Sequence, residues 1–181
     1  MATLLAACVV HALRPGSGTV GVTAIDKRPV DGPIKVGRYG LYADVQADRK
    51  SHGGLDQAVY AYSQADAEFW QAELDRELPF GWFGENLRVD GLDLAAMRPG
   101  ERWRIGSVEL EATRARNPCA TFARWVGGAD ERGWVARFAA EKRLGVYLGV
   151  LKTGTLEPGA PIEVLSAPSS GPTILELNRP S

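Results

Sequence analysis

Cys119 sits in TRARNPCATFARW (113–125), with arginines at 114, 116 and 124 and Pro118 just before it. A thiolate is stabilised by nearby cations and by the outward-pointing N–H groups of a helix amino terminus. Pro118 stops a strand, and CATFARWVG can begin a helix, so Cys119 is expected in that helix's first turn. Arg114 and Arg116 alternate on the preceding strand and are expected on one side of it. A small buried hydrophobe at a strand–helix junction is the other reading of the same residue, because free cysteines are among the most buried side chains.

Other clusters are weaker. QADRKSHGG (46–54) combines His52, Arg49 and Lys50 with a Gly53-Gly54 pair able to expose successive N–H groups, the makings of an anion cradle or of a solvated loop. Lys27 and Arg28 stand near the end of a strand in IDKRPV (25–30). Glu85 and Asn86 lie between glycines and an apolar strand in GWFGENLRVDGL, which suggests a tight turn whose side chains bond back to the loop. Cys8 lies in an apolar strand without nearby charge. A zinc site from Cys8, His11, His52 and Cys119 is rejected: Cys8 and His11 are three apart on a strand and face opposite sides, and there is no paired-ligand spacing. No GxSxG elbow and no GxxxxGK[ST] loop occurs. A Cys119–His52 dyad stays open, with His52 as its base.

The elements that position these residues are mostly strands. Residues 3–13 read as a first buried strand, 19–30 and 58–63 as two more, and ERWRIGSVELEAT (101–113) as a hairpin turning at Gly106-Ser107. Ser63 caps a helix that carries Phe69, Trp70, Leu74 and Leu78 at helical spacing. Residues 130–144 predict a second helix, with Trp134 and Phe138 inward and Gly145 as its stop. GVYLGVLKTG and GAPIEVLSA are strands, and ILELNRPS is a tail or an edge strand. Many short strands with two clear helices indicate a mainly β fold, a closed or partly closed barrel with helical insertions, the alternative being an α+β sheet.

The 181 residues, 45% apolar, suffice for one domain and its core, here placed at 1–166 with a tail at 167–181. A net charge of −1 recruits neither nucleic acid nor an acidic membrane. Two cysteines make no disulfide framework, and no stretch approaches the roughly 18 to 20 apolar residues of a spanning helix. A cytoplasmic protein is expected, monomer or homodimer.

In their order along residues 3–165, GVTAIDKRPVDGPIKVG, GLYADVQADRKSHGGLDQAVYAYS, FGENLRVDGL, RWRIGSVELEATRARNPC and RLGVYLGVLKTG resemble stand-alone MOSC domains. MOSC denotes the carboxyl-terminal domain of molybdenum-cofactor sulfurase. The resemblance is closest to the bacterial subgroup typified by the 6-N-hydroxylaminopurine resistance protein. It implies a β-barrel with inserted α-helices and a molybdopterin-bound molybdenum cofactor, with Cys119 as metal ligand and catalytic residue. It implies Lys27, Arg28, His52, Gly53, Arg114 and Arg116 as cofactor-binding residues. It further implies reduction of N-hydroxylated compounds with electrons from a flavoprotein. Two other roles are compatible: a sulfur carrier charged on Cys119 by a cysteine desulfurase, and a carrier of the cofactor without turnover. Ala43 stands where the family pattern has glycine, an exchange expected to shift the backbone. The stretch after Ser166 is too short for the small helical domain of longer relatives.

Overall fold

The computed structural model describes residues 1–16, 21–47, 53–127 and 133–178. The chain runs β1 (Thr3–Pro15), β2 (Val22–Pro29), β3 (Ile34–Gly37), β4 (Gly40–Leu41), β5 (Val59–Ser63) and α1 (Gln64–Leu74). It continues with β6 (Leu87–Asp90), β7 (Arg102–Ile105), β8 (Val108–Ala115), α2 (Ala120–Gly127) and α3 (Trp134–Ala140). It finishes with β9 (Val146–Lys152), β10 (Gly154–Leu156), β11 (Ile162–Ser166) and α4 (Ile174–Leu177).

The 101–113 stretch forms the hairpin that its alternation predicts. Trp103, Ile105, Val108 and Leu110 are fully buried. On the outer face Arg102 meets Glu111 at 2.8 Å and Arg104 meets Glu109 at 3.4 Å, cross-strand pairs of the kind that hold a register. Gly106 makes the turn at φ 58°. The main sheet runs β11-β7-β8-β9-β5-β6-β1-β2. Among the described residues only β5 and β6 pair in parallel, and α1 lies in the connection between them, as a parallel pair requires.

This sheet closes on itself. The first residues of β1 and the segment entering β11 exchange backbone hydrogen bonds: Ile162 donates to Ala2 at 2.9 Å, Leu4 to Ala160 at 3.0 Å and Gly159 to Leu4 at 2.7 Å. The fold is therefore a mainly β barrel with helices inserted in it. β1 bridges two partners, pairing with β6 over Thr3–Ala7 and with β2 over Cys8–Pro15. A small second sheet, β10-β3-β4, lies beside it.

The helices cover an aromatic cluster of Tyr62, Trp70, Phe83, Phe122, Trp134 and Phe138, all fully buried, with ring centroids 4.1–6.4 Å apart in pairs. Ser63 caps α1, its Oγ accepting the Asp66 N–H at 3.0 Å. The described part of the expected 130–144 helix is shorter than its sequence suggests. It ends at Ala140 because Lys142 turns left-handed at φ 57°, before Gly145 is reached. The expected tail or edge strand after Ser166 is instead a single helical turn. Thr173 and Glu176 form a capping box (3.2 and 2.7 Å), and Ile174 is buried against β8. Four residues are too few to display a helical period, so the pattern could not announce it. Among the described residues no helix is long and apolar enough to cross a membrane.

Candidate functional site

Strand β8 ends at Ala115 and α2 begins at Ala120, so residues 116–119 cross the rim of the barrel. Cys119 is not inside the first turn of α2 but one position ahead of it. Its carbonyl accepts the Ala123 N–H at 3.0 Å, which makes it the residue that caps the helix. Cys119 is half-buried and lines an open cavity of about 160 Å³ together with Lys27, Asp44, Tyr60, Asn86, Arg116 and Tyr147.

Arg116 is the buried cation of this cavity, 8% exposed. It donates through Nη1 to the Phe83 carbonyl. Its guanidinium lies 4.5 Å from the Phe122 ring centre and 4.8 Å from that of Tyr60, a cation–π sandwich that keeps a planar charge in a nearly dry site. Burial works against that charge, but the oxygens of Tyr60 and Tyr147 and the sulfur of Cys119 outweigh it, and the Arg116 pKa is raised. Tyr147 shares this field. Burial pushes its phenol up, Arg116 opposes that, and Cys119 adds to it. One permanent positive charge thus faces a sulfur and two phenols.

Across the cavity, Asp44 gathers three segments. Its carboxylate accepts the Val10 N–H at 2.9 Å, the Asn86 amide at 2.7 Å and the Lys27 ammonium. Burial lowers the Lys27 pKa, and Asp44 opposes that fall. Asn86 also accepts the Tyr60 N–H at 3.1 Å and donates to the Cys8 carbonyl at 3.2 Å, so one amide ties β5, β1 and the loop after β4. Glu85 bonds back to Gly81 N–H at 2.8 Å, as its turn setting predicts, and also pairs with Arg88 at 2.5 Å.

The cavity thus unites Lys27, Arg116 and Cys119 from the sequence-derived set. Arg28 faces away from it: consecutive strand residues point to opposite sides, so Arg28 is exposed and lies 3.6 Å from Asp26. The expected shared side of Arg114 and Arg116 does not hold. A register shift between Ala112 and Arg114, followed by the strand's end, breaks the alternation. Arg114 is exposed and lines a separate groove with Ile174 and Leu177. Gly53 is half-buried and outside the cavity lining. His52 lies outside the described residues, and the Cys119–His52 pair with it.

Residue reading missed Asp44, Tyr60 and Tyr147 and took Asn86 for a turn residue. The tyrosines carried a signal in their strand alternation. The Asp and Asn carried little, since in a glycine-punctuated loop they look like turn residues. Ala43 takes φ 67°, the left-handed conformation that glycine enters without strain.

The donor set bears on what the cavity could hold. Among the described residues no group of three or more His, Cys, Asp or Glu side chains could ligate a metal ion. Cys8 is fully buried and His11 exposed. A bare ion has no cage here, whereas a metal already chelated by an anionic organic group needs only one protein ligand. The single thiol beside a buried arginine fits such a group.

The chain is 33% identical to YflK of Bacillus subtilis (strain 168) over 157 residues, covering 87% of this chain and 70% of YflK. It is 29% identical to YiiM of Escherichia coli (strain K12) over 148 residues, 80% of this chain and 64% of that protein. It is also 29% identical over 180 residues to a protein named Reductase from Gibberella moniliformis (strain M3125 / FGSC 7600), of which it spans only 31%. The crystal structure of YiiM from Geobacillus stearothermophilus superposes with a TM-score of 0.75 at 25% identity, over 97% of this chain and 80% of that one. The MOSC domain model matches residues 48–163. That match takes in more than half of the sequence, from the loop before β5 into β11, and the chain belongs to the MOSC domain family.

Proposed function

We propose that this protein binds the molybdenum cofactor through Cys119 and reduces N-hydroxylated compounds, N-hydroxylated bases among them, with electrons from a flavoprotein. The observation that carries this reading is the placement of Cys119: half-exposed, on an open cavity, facing the buried charge of Arg116. The family's name, taken from the molybdenum-cofactor sulfurase domain, supports the cofactor. The fungal relative named Reductase supports the reaction class.

The chain's own residues divide the work. The Cys119 sulfur would be the protein ligand, on the same cavity as the fixed positive charge of Arg116. Arg116, locked by two rings and a carbonyl, orients an anionic group without moving. Lys27 is held by Asp44 and contributes position more than free charge. The cofactor, when bound, would supply a two-electron redox centre for the reduction. Two electrons and two protons then convert each N-hydroxylamine to the amine and water. At about 160 Å³ the cavity is smaller than the roughly 300–1,000 Å³ of pockets that enclose whole drug-sized ligands, so it suits one end of the cofactor rather than all of it.

The test is metal and pterin analysis after expression in a host that makes the cofactor. Wild type is expected to carry molybdenum and a fluorescent pterin in near-equal amounts. Cys119→Ser is expected to lose the metal at least tenfold and, with it, reduction of an N-hydroxylated base. Wild-type protein free of molybdenum from such a host overturns the reading.

A further inference from the structure

Among the described residues, several exposed large apolar side chains lie on the cavity lining or on the segment leading into it. Val22 and Val45 line the cavity and are still 41% and 44% exposed. Beside them Tyr39, in the β3–β4 turn, is 58% exposed, and Tyr42, the residue after β4, is 66% exposed. The turn is fixed to the cavity wall: the Tyr39 carbonyl accepts the side-chain amide of Gln46, a cavity residue, at 3.0 Å, and Tyr42 precedes Asp44 by two positions. Two exposed cations, Lys35 and Arg38, frame the same turn.

Charge follows the same division. From Leu13 to Leu55 the sequence has seven lysines and arginines against four aspartates, whereas the rest has fourteen basic against eighteen acidic residues. The stretch that carries the exposed tyrosines, residues 34–42, holds Lys35 and Arg38, both exposed, and no aspartate or glutamate. Aromatic and arginine side chains are the types that dominate protein–protein binding energy. Asymmetric charge steers an oppositely charged partner onto one face.

We propose that Val22, Lys35, Arg38, Tyr39, Tyr42 and Val45 form the docking surface for an acidic electron-carrier protein. The inference rests on the reductase reading above. Electron transfer between proteins falls off steeply with distance, so the carrier must settle at the mouth where Cys119 is reached. The overall step balances. A reduced flavin gives up two electrons, the N–O bond of the hydroxylamine breaks, and with two protons the oxygen leaves as water.

The test compares two reductants on cofactor-loaded protein: a photoreduced acidic flavodoxin and the small diffusible reductant methyl viologen. Tyr42→Ser and Arg38→Glu lie outside the cavity lining and are expected to leave the viologen-driven rate unchanged. Each is expected to lower the flavodoxin-driven rate, together about tenfold, the scale for removing an interface aromatic and an interface cation. Flavodoxin binding, followed by flavin fluorescence, should weaken in step and fade as salt is raised. Equal flavodoxin-driven rates in wild type and variants overturn the docking surface while leaving the reductase reading intact. A loaded wild type that neither reductant drives overturns both. Loss of self-association, or of binding to anionic phosphatidylglycerol vesicles, in these variants without loss of flavodoxin binding gives the face to another occupant and overturns it as well.

Discussion

Ala43 spends conformational energy at the edge of the site. A non-glycine residue in the left-handed region costs about 1–2 kcal/mol, and Ala43 holds φ 67° because the next residue, Asp44, is bonded to Val10, Lys27 and Asn86. Ala43→Gly removes the strain and adds backbone freedom to the unfolded chain, which takes back about 0.4–1 kcal/mol. The expected net is a gain of about 0.5–1 kcal/mol in urea unfolding, and a variant less stable than wild type contradicts this account. At this scale the sequence was partly legible. Cys119, Arg116 and Lys27 were found because charge next to a thiol, or at a strand end, is an unusual local pattern. Arg114 and Arg28 stand outside the cavity lining for different reasons: a bulge that nothing local marks turns Arg114, whereas Arg28 directly follows Lys27 on one strand and so points the other way.

Helix α2 is the element that places Cys119, and its seat is Phe122. That ring is fully buried, touching Trp134 and Phe138 at centroid distances of 5.7 and 4.9 Å, and it also forms one wall of the Arg116 sandwich. Phe122→Ala is expected to cost about 3–5 kcal/mol and to loosen the cap residue as well as the core. Thermal unfolding together with molybdenum content checks both. Loss of stability with full metal retention would show that α2 holds Cys119 by other contacts. Elements with a long period were readable from sequence, as the 101–113 hairpin and the helix after Ser63 show. The β3–β4 turn and α4 were not, because two to four residues carry no period. The parallel pairing of β5 with β6 was also hidden, being a long-range choice that neither strand encodes alone.

For the molecule as a whole, four buried acids set the alkaline limit. Burial raises the pKa of Cys8, Tyr60, Tyr62 and Tyr147, whereas in the unfolded chain a cysteine ionises near 8.5 and tyrosines near 10. Above those values the unfolded chain releases protons that the folded chain keeps, so the stability these groups lend is full below their unfolded pKa and is lost as pH rises. Lys27, lowered by burial, acts in the opposite sense below its unfolded value of about 10.4 and offsets only one group. Stability should therefore fall above about pH 10, by about 1.4 kcal/mol per pH unit for each un-ionised buried acid. Tyr62→Phe should make the decline shallower by about one such increment in urea unfolding between pH 9 and 11. An unchanged slope would mean that Tyr62 ionises freely in the native protein.

The cavity walls come from opposite halves of the chain: Lys27 and Asp44 on one side, Arg116, Cys119 and Tyr147 on the other. On the ribosome the first wall emerges long before the second, and the two meet only once β9 has zipped between β5 and β8. No nascent fragment can trap a reactive ligand on half a binding surface. A ligand that needs both walls can settle there only once β9 is in place.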